Sequence, residues 1–195
     1  MVALASSVAL YEPTARAATE ADPPRRDPSP YARMKAWSEQ LFAGWERFDR
    51  RACSLRLSTV YGPGETGHRA IPAMIEAALA GRPLRVDAEG SATFDPVFVG
   101  DVARAFTLAA VRRASGTFNI AGGYPIEVGA VARTIVALTG SASAIEVVPS
   151  ATGGRRPTCD ITRACEVLGF TPRVALDAGL ALEIEWQRAR MRLEV

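Results

Sequence analysis

Apolar positions along this chain come in short, dense runs separated by polar punctuation. The opening stretch "MVALASSVAL" is the length of a buried strand and far too short to cross a bilayer, so residues 2–10 predict a strand. Residues 12–30 are polar, and the prolines of "PPRRDPSP" deny them regular structure. A helix is predicted over 30–50, with Ser29 as N-cap and Pro30 in its first turn. Residues 52–60 predict a second strand and 61–70 a Gly/Pro loop. A helix follows over about 71–80, closed by Gly81. Extended pieces are predicted near 83–87 and 94–99, and Asp101 is expected to cap the helix "VARAFTLAAVRR". The strand "TFNI", the turn "AGGYP", a helix over 128–138 and the strand "AIEVV" come next. A short helix, "ITRACEVLG", and an amphipathic helix over 176–192 complete the chain. Strands alternating with helices predict an α/β fold with at least part of a parallel sheet.

Composition narrows the class. In 195 residues, 48% are hydrophobic and 23% charged, the balance of a folded globular chain. A net charge of +2, scattered along the sequence, gives no footprint for nucleic acid or an anionic membrane. The start lacks the basic residues of a signal peptide. Three separated cysteines and a single histidine, His68, leave almost no material for a zinc site or a His-based triad. No metal and a reduced, cytoplasmic setting are expected. Arginine supplies all but one of the 23 Lys and Arg residues, and the exception is Lys35. A compact ammonium does what a guanidinium cannot, lending a titratable point charge to a neighbour.

That lysine has a partner. In "SPYARMK", Tyr31 and Lys35 are four residues apart and share one helix face. A cation beside a phenol favours the phenolate, which suits the oxygen to give or take a proton. Ser6 and Ser7 end the first strand, where a hydroxyl can bond the same substrate oxygen. Together these groups make a site for interconverting an alcohol and a ketone. A second motif, "YGPGETG", spells G-x-G-x-x-G through Gly62, Gly64 and Gly67, with Asp87 lying 20 residues further on. A dinucleotide cradle needs a helix starting at those glycines. Pro72 instead puts the helix start near 70–71, so the glycines are expected to shape a loop on the substrate side.

Several blocks occur in an order that resembles the extended short-chain dehydrogenase/reductases, the NAD-dependent epimerase/dehydratase family. They are "SSVALYEP", "SPYARMKAWSE", "LRLSTVYGPG", "AEGSATFDPVFVGDVARA", "GTFNIAGGYPIEVGAVA" and "DITRACEVLGFTPRVALDAGLALEIEW". The resemblance runs along essentially the whole chain. It implies Tyr31 as catalytic acid/base, Lys35 binding the nicotinamide ribose, and Ser7 bonding the reacting oxygen. It also implies Leu57 and Ser58 lying against the nicotinamide, and Thr59 facing the substrate. The cofactor implied is NAD or NADP, and the partner a sugar or nucleotide-sugar-like small molecule.

Three departures qualify that picture. Glu12 replaces the family's glycine after the tyrosine, and Phe94 stands where nucleotide-sugar enzymes carry an arginine for the substrate diphosphate. Arg155 and Arg156 are either a replacement phosphate contact or a solvated loop. Family members also begin with a strand and a G-x-x-G-x-x-G turn well ahead of the serine strand, and this chain opens at the serine strand. The resemblance therefore implies a partial Rossmann-type sheet whose N-terminal nucleotide-binding half is missing, joined to a small mixed α/β substrate-binding part. The expected division is 1–60 against 61–195, with about 94–120 returning to the sheet. An enzyme that is incomplete, a homodimer, and a catalytically inactive remnant that binds a separate nucleotide-binding half all fit this reading.

Overall fold

The computed structural model describes residues 1–45, 51–66, 69–87, 92–148 and 157–193. They fall into two compact units, each assembled from three stretches of chain. Unit 1 takes Met1–Val60, Asp95–Tyr124 and Pro157–Arg173, and unit 2 takes Tyr61–Phe94, Pro125–Arg156 and Val174–Val195.

Unit 1 is built on three parallel strands in the order β1 (Val2–Ser7), β2 (Ala52–Leu57), β7 (Gly116–Ile120). Between β1 and β2 lies helix α1 (Pro30–Gly44). Between β2 and β7 come β3 (Thr59–Tyr61), α2 (Ala70–Leu79), β4 (Leu84–Asp87), β5 (Thr93–Phe94), β6 (Pro96–Phe98) and α3 (Val99–Val111). Side chains alternate across the strands, so each register row belongs to one face. Leu55 and Phe118 share a row and are fully buried with Val102, Ala105 and Ala109 of α3. The opposite face carries the row Ser6–Arg56–Asn119, polar in all three strands and buried in all three.

Unit 2 packs α2, α4 (Val128–Thr139) and α5 (Leu176–Leu193) with the parallel pair β4 and β9 (Ile145–Val148). β5 pairs antiparallel with β8 (Ile126–Glu127). Ile71, Ile75, Leu84, Val131, Ile135 and Leu180 are buried there.

Several boundaries differ from the sequence expectation. The first strand stops at Ser7, whose side chain caps a 3-10 turn over Val8–Leu10. The second is interrupted at Ser58, where the backbone N–H turns to Ile120 O. α1 reaches Gly44, and residues 46–50 of its predicted span lie outside the described residues. Asp101 does not cap α3, which starts at Val99. It sits buried inside the first turn, accepting from Arg104 Nη2 at 2.8 Å and the Arg173 backbone N–H at 2.9 Å. The predicted short helix near 161–169 contains a π-helical turn over Ala164–Leu168.

One glycine is fixed by contact. A Cβ on Gly122 would collide with the Pro96 carbonyl oxygen. The Gly122, Gly123 and Tyr124 amides beside it face Asp95, a carboxyl 1% exposed. Burial pushes Asp95 up to about 6 against those donors.

Candidate active site

α1 delivers the tyrosine and the lysine. Ser29 Oγ accepts from the Ala32 backbone N–H and Pro30 starts the helix, so Tyr31 and Lys35 lie on its first two turns. Lys35 Nζ stands 5.6 Å from the centre of the Tyr31 ring. It also donates to Ala5 O of β1 at 2.7 Å. Tyr31 is 49% exposed. This is the carboxyl end of β1, where open parallel sheets bind ligands.

Ser7 lies two residues past Ala5. Its oxygen accepts from the Ala9 N–H at 3.1 Å, a bond that leaves its O–H a donor. Leu57 ends β2 and Ser58 follows it, 9% exposed. Thr59 opens β3 and is half-buried. Arg155, Arg156 and His68 lie outside the described residues.

The structure adds a buried network among residues that lie inside the family blocks without a role assigned from the sequence: Glu39, Arg56 and Asn119. Glu39, one further turn along α1, takes a hydrogen bond from Ser6 Oγ at 2.5 Å. Arg56 grips the same carboxylate twice, Nε to Oε1 at 3.0 Å and Nη2 to Oε2 at 2.7 Å. Arg56 Nη1 donates to Tyr11 OH at 2.7 Å, and Tyr11 OH donates to Asn119 Oδ1 at 2.7 Å. Asn119 Nδ2 then donates to the Ala18 and Asp160 carbonyls. Burial pushes the Tyr11 phenol up to about 12, although Arg56 pulls the other way. The sequence signal was an arginine inside the apolar strand "CSLRLS", an asparagine inside "TFNI", and a glutamate four residues after Lys35.

The glycine loop is not a phosphate cradle in the residues described. Gly62 and Gly64 have φ of 131° and 99°, conformations that suit glycine. Helix α2 starts at Ala70 with Arg69 as its N-cap position, several residues beyond Gly64, as Pro72 implied. Gly67 lies outside the described residues. The Gly62 amide is engaged inside unit 2, facing the carboxyl of Glu183.

A family model, the NAD dependent epimerase/dehydratase family, matches residues 2–121. The chain belongs to that family. Among curated relatives of this epimerase/dehydratase family, a UDP-glucose 4-epimerase of Mycolicibacterium smegmatis is 36% identical over 178 residues. That match covers 87% of this chain and 56% of the relative. A dTDP-glucose 4,6-dehydratase of Salmonella typhimurium is 33% identical over 162 residues, covering 82% and 43%. Among solved structures, MoeE5 in complex with UDP-glucuronic acid and NAD superimposes with a TM-score of 0.86 at 35% identity. It covers 96% of this chain and 64% of that one. The Thermotoga maritima UDP-glucose 4-epimerase with UDP-glucose gives 0.88 at 27%, covering 97% and 63%. The Rossmann-type α/β reading of the fold is thus correct. The chain spans about half the length of the curated relatives it matches.

The family's cofactor finds a partial fit in these residues. Tyr31 and Lys35 offer a phenol and an ammonium side by side at a strand end, which suits the nicotinamide-ribose end of a dinucleotide. No described helix begins at a glycine turn that would receive the pyrophosphate.

Proposed function

We propose that this chain supplies the proton-handling side of an NAD(P)-dependent epimerase, dehydratase or reductase acting on a sugar or nucleotide-sugar hydroxyl or ketone. The juxtaposition of Tyr31 and Lys35 carries the proposal: 5.6 Å from ammonium to ring, at the carboxyl end of a parallel strand. When bound, the nicotinamide would take or return hydride at the carbinol carbon. The chain's own residues do the rest. Tyr31 moves the proton at the substrate oxygen, and Ser7 bonds that oxygen through its free O–H. Lys35 binds the ribose hydroxyls and holds positive charge beside the phenol. Leu57 and Ser58 flank the nicotinamide, and Thr59 faces the sugar.

Substrate recognition departs from the nucleotide-sugar pattern at Phe94, which is 2% exposed and packed inside unit 2. A phenyl ring there offers a diphosphate nothing, so the phosphate contact passes to Arg155 in this reading. The test is the chain co-produced with the nucleotide-binding half of a relative and assayed with UDP- and dTDP-sugars, with conversion of the sugar followed by chromatography and net reduction by NADH absorbance. Turnover is expected in the parent and lost in Tyr31→Phe. Turnover that survives Tyr31→Phe overturns the assignment.

A second reading is that the 195 residues act as a partner-binding module without catalysis of their own. What favours it is the outer face of α1, where Met34, Trp37 and Leu41 are 50%, 62% and 71% exposed. A second copy of this chain or a separate nucleotide-binding half would cover such a face. Light scattering of the purified chain, alone and co-produced with the nucleotide-binding half of a relative, separates the two occupants.

A further inference from the structure

Among the described residues, Lys35 meets the sheet through a hydrogen bond to the Ala5 carbonyl at the end of a flexible four-carbon stem. What fixes the helix beneath it lies one turn further on. Residues 31, 35 and 39 descend α1 in steps of four, each about 6 Å along the axis and turned by about 40°. Lys35 donates to Ala5 O, and Glu39 accepts from the very next residue of β1, Ser6. Two consecutive strand residues therefore meet two side chains one helical turn apart. Arg56 fastens the second of these contacts from β2 with both arms of its fork. Arg56 is itself braced by Tyr11, and Tyr11 by Asn119 of β7. All three strands of the sheet thus converge on one carboxylate of α1. The side chains of the pair are only 9% and 13% exposed, so solvent does little to loosen it.

We propose that Glu39 is a positioning residue: clamped by Arg56 and Ser6, it sets the rotation and height of α1 so that Lys35 reaches Ala5 O beside Tyr31. Glu39 touches neither substrate nor cofactor and acts through Lys35. The functional meaning of the clamp rests on the reading of Tyr31 and Lys35 given above, but its test does not.

The chain has one lysine, so a probe of lysine amines reads Lys35 alone, apart from the N-terminus, which peptide mapping separates. Acylation of Lys35 by an N-hydroxysuccinimide ester, and the NMR signal of 13C-dimethylated Lys35, are measured in the parent, Glu39→Gln, Ser6→Ala and Arg56→Gln, none of which adds a lysine. A residue that merely stabilises the fold lowers the thermal midpoint without altering Lys35 in the folded molecules. A positioning residue alters Lys35 itself. Glu39→Gln is expected to raise the acylation rate several-fold and shift the methyl signal. Arg56→Gln, which loses the fork, and Ser6→Ala should move both in the same direction. Unchanged rate and signal in folded Glu39→Gln and Ser6→Ala overturn the proposal. If Glu39→Gln does not fold, Ser6→Ala decides alone. Loss of the clamp effect with turnover still dependent on Tyr31 removes the clamp only. A freed Lys35 with turnover indifferent to Tyr31→Phe removes the functional reading only.

Discussion

Glu183 shows what one residue can do to the pH response of a fold. It lies on α5, fully buried, with neither carboxylate oxygen in a hydrogen bond of ordinary geometry. Burial first, and the nearby Glu65 charge second, push it up to about 7, while the Gly62 amide and Gln187 only partly offset them. Its ordinary value is 4.5, so the folded protein binds this proton more tightly than the unfolded chain does. The stability tied to that proton is complete below 4.5 and drains away as pH rises through about 7. Asp95 carries the same sign but completes its loss near 6, which leaves the interval above that to Glu183. Urea unfolding of the parent and Glu183→Gln across pH 5–8 is expected to show curves that diverge from pH 5 to about 7 and run parallel above it. By pH 8 the variant should be ahead by on the order of 2 kcal/mol. Curves parallel over the whole range would show that Glu183 is solvated or paired.

At the scale of the element, β2 illustrates both what the sequence discloses and what it hides. An apolar run bounded by "RR" and "YGPG" announces a buried strand, and that strand is present. The same run contains Arg56, and no periodicity rule says what a buried guanidinium is for. Its partners come from α1, from the turn after β1, and from β7 across the sheet, contacts that only the folded chain brings together. The Tyr31–Lys35 pair was legible because four residues is a helical turn. Asp101 was misplaced because its role depends on Arg104 and Arg173 rather than on the helix end it sits near. Removing one member of a largely desolvated pair strands the other. Arg56→Ala is expected to cost about 3–5 kcal/mol in chemical denaturation, and Arg56→Met paired with Glu39→Leu much less. Equal losses in the two variants would mean that packing, rather than the uncompensated charge, dominates.

For the whole molecule, the proposed function gives the described residues one end of a dinucleotide, and no described helix begins at a glycine turn that would receive its pyrophosphate. The 195-residue polypeptide by itself is therefore expected to give no saturable NADH fluorescence signal in the micromolar range. Co-production with the nucleotide-binding half of a relative should restore it. Micromolar binding by the polypeptide alone would place a phosphate site in the residues not described. Family membership was legible because its motifs are local and ordered along the chain. The division into units is not local: β7, which completes the sheet of unit 1, arrives more than fifty residues after β2.

That interleaving bears on ancestry. The backbone passes between the two units five times, at the boundaries near 60, 94, 124, 156 and 173. No single crossover in a gene could transplant one whole unit without the other, since each is drawn from three separated stretches of the chain. Substrate preference in such a chain has to change by point substitution or by exchange of a whole loop. In the reading proposed above, Phe94 in place of a diphosphate-binding arginine would be a change of the first kind.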